Sequence, residues 1–143
     1  EADLYNEHRK APVALGDATT ADFDQLFKEV NLGPVFDYLQ VDCEPAQVTY
    51  DAMLKIDLDK YKFATITFEH DKYNDGPEIQ NKSREYLQER GYVLIADDIS
   101  VDNKHPFEDW WAHPDLVPAH CISNMKCVTG ETKSAQDYML GKI

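Results

Sequence analysis

The sequence is poor in cysteine and has no long apolar run, and each of these features excludes a class of structure. Its three cysteines, Cys43, Cys121 and Cys127, match no common zinc spacing and no disulfide framework. We therefore expect reduced thiols and a cytoplasmic protein, with a Cys121–Cys127 disulfide as the alternative. No apolar run approaches the roughly 20 residues that span a bilayer, so no membrane partner is expected.

Positive charge is also scarce. The chain has 14 lysines and arginines against 27 aspartates and glutamates, a net charge of −13. Binding to nucleic-acid backbones needs clustered Lys and Arg, and the Arg9-Lys10 pair is far too short to supply such a patch. The composition therefore argues against a nucleic-acid partner.

What is present suits one folded domain. At 143 residues, with 43% apolar and 11% aromatic residues, the chain is long enough for a sizeable core. It starts at Glu1, and no secretory or transit pattern precedes the first helix-like stretch. We expect a single domain over residues 1–143.

Apolar periodicity alternates along the chain between strand-like and helix-like. Apolar residues at helical spacing, together with residues that start or stop helices, predict helices over 20–30, 46–57 and 78–90. Short apolar runs predict strands over 12–15, 35–42, 62–68 and 92–96. Such alternation predicts an α/β fold, Rossmann-like, with a mainly parallel sheet and helices on both faces. Residues 101–143 are expected to form an irregular tail on the sheet edge.

The strand predicted over 62–68 organises the rest. Its uncharged block Phe63–Phe68 suits a strand covered on both faces, and it stops at Glu69, His70 and Asp71. The strand over 35–42 likewise ends in acids, Asp42 and Glu44. Ligands in open α/β sheets bind at the carboxyl ends of strands, so we expect these side chains to share one edge.

Each of these groups has a functional and a structural reading. His70 suits proton removal from a hydroxyl near neutral pH, with Asp42 and Asp71 beside it. The same three could instead surround Mn²⁺ or Fe²⁺, although a metal is not predicted. Structurally, Glu44 could simply start a helix, where the dipole favours an acid. Trp110 and Trp111 could wall a substrate pocket together with Glu69, or cover the sheet edge as core.

The run from Phe36 to Val117 resembles the FkbM-type family of S-adenosylmethionine-dependent methyltransferases. The resemblance rests on four pieces in order, FDYLQVDCEP at 36–45, YKFATITFEHD at 61–71, SREYLQERGY at 83–92 and FEDWWAHPDLV at 107–117. Upstream, ALGDA at 14–18 is similar to the third-strand motif of such enzymes. Residues 1–13 contain no counterpart of their D-x-G-A-x-x-G turn, so the chain resembles the C-terminal portion of the class I methyltransferase fold, without its first strands.

The resemblance implies methylation of a hydroxyl on a small-molecule or sugar acceptor, with S-adenosylmethionine as cofactor. By position, Asp17 and Ala18 would approach the adenine, and Asp42 and Glu44 the methionine end. Two alternatives stay open: a non-catalytic remnant that serves as a binding or assembly module, and a metal-dependent hydrolase built on Asp42, Glu44, His70 and Asp71. A homodimer is also compatible with the sequence.

Overall fold

The structure, a computed structural model, describes residues 20–143. Its helices are α1 (Phe23–Glu29), α2 (Ala46–Leu54), α3 (Lys72–Asp75), α4 (Glu78–Glu89), α5 (Ala119–Met125) and α6 (Ala135–Met139). Its strands are β1 (Val35–Val41), β2 (Lys62–Glu69), β3 (Val93–Ser100), β4 (Glu108–Ala112) and β5 (Lys133–Ser134). The strand predicted over 12–15, with Asp17 and Ala18, lies outside the described residues.

The five strands form one mixed sheet in the order β1-β2-β4-β3-β5. The β1–β2 and β3–β5 pairs are parallel, whereas β4 runs antiparallel to both of its neighbours. The α/β class is confirmed, but the expectation of a mainly parallel sheet is wrong. Half of the pairings are antiparallel because β4 inserts between β2 and β3.

Strand β4 is also where the structure departs from the expected irregular tail. Glu108, Asp109, Trp111 and Ala112 are buried, and Trp110 is half-buried. Two adjacent acids are unusual inside a central strand, since a buried carboxylate needs a hydrogen-bonded or charged partner. Asp109 has its partner in Arg84, which lies 25 residues earlier on α4, so local sequence gives no sign of it. Instead of lying on the sheet edge, this segment is in the middle.

Helices cover both faces of the sheet. Helices α2 and α4 pack on the first face, where Met53 and Leu87 join Ile66, Phe68 and Trp111 in the main core. On the second face, Ile122 of α5 packs against Ile95 and Ala112, with Trp110 beside them. The two tryptophans separate because successive residues of a strand point to opposite faces.

Two local features set the position of β3. Helix α4 ends at Glu89, and the φ of +83° at Gly91 just beyond it allows the Tyr92 N–H to bond the Leu87 carbonyl, a Schellman ending. Within β3, register shifts against β4 on both sides of Ala96 accompany a left-handed Asp98 with φ of +52°. As a result, Asp97 and Asp98 both lie buried inside the strand.

Cys43, Cys121 and Cys127 are free thiols in the structure. Within residues 20–143 we find no helix with the length and apolar character needed to cross a membrane.

Candidate functional site

The predicted edge is built by β1 and β2. These strands are parallel neighbours, and Val41 pairs with Phe68 at the last step of their register. Asp42 and Glu69 therefore come next on adjoining strands. The turn after β1 is fixed by Thr49, whose hydroxyl contacts both the Cys43 N–H and the Cys43 carbonyl. This arrangement brings the acids of both strand ends to one edge, as the sequence predicted.

Alternation along β2 separates two residues that the sequence analysis placed together. Glu69 pairs with Glu108 across the strands and faces Asp42, whereas His70 points to the other side and contacts Asp109. His70 is fully buried. The edge thus holds two separate groups of ionisable side chains, one on each side of β2.

We call the first group the carboxylate rim: Asp42, Glu69, Asp71 and Glu108. The Glu69 carboxyl faces the carboxyls of Asp42 and Asp71. Among residues 20–143, no member of the rim forms an ion pair with lysine or arginine. The rim is therefore a concentration of carboxyl groups that has no basic partner in the part of the chain that the structure describes.

This imbalance changes proton affinity. Burial, followed by the facing carboxyls of Asp42 and Asp71, raises the pKa of Glu69 to about 8. Burial also raises the pKa of Asp71, assisted by the charges of Asp75 and Glu44. Burial is likewise the main cause that raises the pKa of Glu108. Near neutral pH, Glu69 can therefore hold or release a proton, a property that many functional sites share.

Asp71 is placed by backbone geometry. Its φ of +46° puts it in the left-handed region, which aspartate tolerates better than most residues. The Phe107 carbonyl accepts from both the His70 N–H at 2.7 Å and the Asp71 N–H at 3.1 Å. The loop before β4 therefore fixes the end of β2.

The second group, the charge-balanced cluster, consists of His70, Lys72, Gln80, Arg84, Asp98 and Asp109. Arg84 binds Asp109 through two hydrogen bonds of 2.6 and 2.9 Å. Lys72 Nζ and Gln80 Nε2 each lie 2.9 Å from Asp98 Oδ1. Hydrogen bonds from His70 and Arg84 hold the pKa of Asp109 down at about 2, although its burial opposes the shift.

His70 has no nitrogen left for catalysis in this arrangement. The Lys72 N–H donates to Nδ1 at 3.1 Å, so Nδ1 carries no proton. Nε2, which then carries it in the neutral ring, lies 3.4 Å from Asp109 Oδ1. The geometry favours a structural role for His70 over the predicted role as base.

His70, Asp98 and Asp109 also offer ligand atoms that lie within 4.8 Å of one another, the spacing that a metal ion needs. Their charges argue against one. The two carboxylates already face Arg84 and Lys72, so the cluster is neutral with neutral His70. A divalent cation would have to displace both side chains.

The tryptophans divide between core and rim. Trp111 is fully buried in the main core, and its indole N–H has no hydrogen-bond partner among the described residues. It therefore fits the structural reading rather than substrate binding. Trp110 is half-buried, contacts the ring of Tyr138 edge-on, and donates its indole N–H to Glu108. Only Trp110 touches the rim.

Two cavities open beside the rim, with Tyr73 in both linings. One, of about 410 Å³, is lined by Glu44, Asp71, Asp75 and Asn74 among others. The other, of about 280 Å³, contains Glu69, Asp102 and His105. Sequence reasoning missed Tyr73, Asp102 and His105, which lie in turn-forming stretches. The sequence signal that could have pointed to Asp102 and His105 is an aspartate three residues before a histidine.

A scan against protein-family models, a search of curated proteins and a search of solved structures each returned no match to this chain.

Proposed function

We propose that the chain is the C-terminal part of a Rossmann-like, S-adenosylmethionine-dependent methyltransferase of the FkbM type, acting on a hydroxyl of a small acceptor. The observation that carries this proposal is the grouping of four carboxyls at the carboxylate rim. Four carboxyls without a Lys or Arg partner in the described part of the chain suit a positively charged ligand. The cofactor would supply an electrophilic methyl group on a positively charged sulfur.

The sheet topology also supports this assignment. In the class I methyltransferase fold, the last strand runs antiparallel and lies between the two strands that precede it. Strand β4 has this position between β2 and β3, and the two-residue β5 follows it in the chain and pairs with β3. The position of β4 therefore agrees with the resemblance of residues 36–117, although antiparallel insertions also occur in other mixed sheets.

The rim residues would carry the protein's part of the reaction. Asp42, exposed at the end of β1, would face the positive sulfur, with Glu44 close behind it. Glu69 would accept the proton of the acceptor hydroxyl, because its pKa of about 8 lies close to physiological pH. His70 would hold the turn that places Glu69 and Asp71.

A bound cation would couple to this proton. Positive charge beside Glu69 stabilises its ionised form and lowers its pKa, so Glu69 should release a proton as the cofactor binds. The site would then present a carboxylate when the methyl donor is in place.

Calorimetric titration tests this coupling. S-adenosylmethionine should bind at pH 7.5 and release a proton, seen as a heat that changes with the ionisation enthalpy of the buffer. S-adenosylhomocysteine lacks the positive charge and should bind more weakly without that release. Glu69→Gln should abolish the proton release, and Glu85→Gln, at an exposed position of α4, should preserve it.

The outcomes separate the alternatives. If S-adenosylmethionine gives no heat at millimolar concentration, the remnant interpretation is favoured and the enzyme proposal fails for this chain. If Mn²⁺ binds at the rim instead and S-adenosylmethionine does not, the rim is a metal site and the hydrolase alternative gains support.

A further inference from the structure

The smaller cavity beside Glu69 contains a dyad of Asp102 and His105. The Asp102 Oδ2 atom lies 2.5 Å from His105 Nδ1. The other oxygen of Asp102 accepts from the Ser100 hydroxyl and from the backbone N–H groups of Lys104 and His105 at 2.8 to 3.0 Å. These contacts hold the pKa of Asp102 far below its usual range, with the His105 N–H as the largest cause.

This arrangement leaves one imidazole nitrogen available. Asp102 fixes Nδ1 as the protonated nitrogen of the neutral ring, and Nε2 has no hydrogen-bond partner among residues 20–143. His105 is 60% exposed, and its ring contacts Tyr73 edge-on at 5.3 Å between centroids. A histidine held by a carboxylate with its second nitrogen free is an arrangement that recurs in sites handling a hydroxyl.

The lining of the cavity indicates what would bind there. Its six residues are Glu69, Tyr73, Val101, Asp102, His105 and Phe107. Two are carboxyls and two are aromatic, and neither this cavity nor the adjoining one contains a lysine or arginine among its lining residues. An anionic ligand would meet repulsion, whereas an amine would meet carboxylates and the face of Tyr73.

The size sets a second limit. A cavity of about 280 Å³ is just below the range of about 300–1,000 Å³ that drug-sized ligands occupy. It suits a ligand of monosaccharide size. A phosphorylated compound would bring negative charge to a lining that contains two carboxyls and no lysine or arginine.

We propose that this cavity is the acceptor site, and that it selects a monosaccharide-sized hydroxyl compound that carries an amine, an amino sugar being the best match. His105 contacts the acceptor hydroxyls through Nε2, Asp102 orients His105, and Tyr73 packs on the ring of the acceptor. This inference rests on the proposed methyl transfer for its meaning, but binding can be measured without it.

Three sugars on one scaffold test the charge preference: D-glucosamine, methyl α-D-glucoside and D-glucose 6-phosphate. Each is titrated into the full chain at low salt, without cofactor, while the His105 ring resonances are followed by NMR. D-glucosamine should bind about tenfold more tightly than the neutral glucoside, and the phosphate should leave His105 unmoved. Equal binding of all three, or no binding by any at millimolar concentration, would overturn the inference.

Variants distinguish binding in the cavity from a general attraction of the sugar to the negative charge of the chain. Tyr73→Ala and Asp102→Asn should each weaken D-glucosamine binding several-fold, and Glu89→Gln, at an exposed position outside both cavities, should not. If Glu89→Gln weakens binding as much as Asp102→Asn does, the sugar senses only the net charge and the inference fails.

The two proposals fail differently. Binding of S-adenosylmethionine without sugar binding removes the acceptor site and leaves methyl transfer in place. Sugar binding without any cofactor binding leaves the site and removes methyl transfer.

Discussion

The two sides of β2 carry similar groups in opposite electrostatic states. On one side, Asp98 and Asp109 are buried, yet Lys72 and Arg84 match their charges. On the other side, Asp42, Glu69, Asp71 and Glu108 gather without a basic partner within residues 20–143. Burial alone therefore does not decide what a carboxylate does. A buried carboxylate paired with a basic side chain contributes to the stability of the fold. Carboxyls without such a partner would instead be stabilised by a bound cation.

The pKa values express the same contrast. Arg84 and His70 keep the pKa of Asp109 at about 2, whereas burial and the neighbouring acids raise that of Glu69 to about 8. These two residues belong to adjoining strands, and Glu69 and His70 are consecutive in the chain. The alternation of β2 is enough to assign one to a structural cluster and the other to a binding surface.

The largest effect is expected on the matched side. Arg84→Met leaves Asp109 and Asp98 without their guanidinium, and breaking a buried ion pair typically costs about 3–5 kcal/mol. We expect urea unfolding at pH 7 to show a loss of that size. Lys82→Met, on the same helix but in an exposed pair with Glu78, should cost less than about 1 kcal/mol. Equal losses of unfolding free energy in Arg84→Met and Lys82→Met would contradict the claim that Arg84 balances the charge of the buried carboxylates.

The buried pair of Asp97 and Lys133 tests whether basic partners also stabilise buried carboxylates elsewhere in the fold. Asp97 and Lys133 are both buried and in contact, and Asp97 also accepts from the N–H groups of Thr129 and Gly130 at 3.1 and 2.7 Å. Because those bonds remain in Lys133→Met, we expect a smaller loss of about 1–3 kcal/mol. Hydrogen exchange should show faster opening at Thr129 and Gly130. An unchanged exchange rate there would refute a role for Lys133 in holding Asp97 against these two N–H groups.

The smallest effect, and the only one with the opposite sign, is expected at the rim. The pKa of Glu69 is raised in the folded chain, so its protonated form contributes stability that is fully present below about pH 4.5 and is lost as pH rises through about 8. Glu69→Gln should therefore unfold like the parent at pH 4.5 but be more stable at pH 9, by roughly 1 kcal/mol after allowance for solvent screening. Glu85→Gln should show no such pH dependence. A loss of stability at pH 9 in Glu69→Gln would refute the claim that ionised Glu69 is repelled by the neighbouring carboxyls of Asp42 and Asp71.

Much of the fold could be predicted because its signals are local. The apolar block of β2, the helical spacing of Phe23, Leu26 and Phe27, and the stop at Gly91 each depend on neighbouring residues. The carboxyls of Asp42 and Glu69 were predicted to lie at the same edge of the sheet, and they do. The period of two along a strand already implied that Glu69 and His70 point apart, a signal that the prediction did not use.

The rest depended on contacts that no local pattern records. Residues 107–111 looked irregular because Glu108 and Asp109 interrupt an apolar run. The partners that make a strand favourable there, His70 and Arg84, lie at the end of β2 and on a distant helix. Asp97 and Asp98 looked like residues that follow a strand, yet the irregular register of β3 keeps them inside it. The Asp102–His105 dyad depends on loop geometry, for which sequence gives only the spacing.

One measurement tests the contrast between the two sides directly. Carbon-13 NMR of the carboxyl groups, followed from pH 2 to pH 10, reports Glu69 and Asp109 in the same samples. We expect Glu69 to titrate near pH 8 and Asp109 to remain ionised down to about pH 2. If Glu69 instead titrates near 4.5, the ordinary value of a glutamate, then burial and the neighbouring carboxyls do not raise its proton affinity, and the proposed cation site at the end of β2 is contradicted.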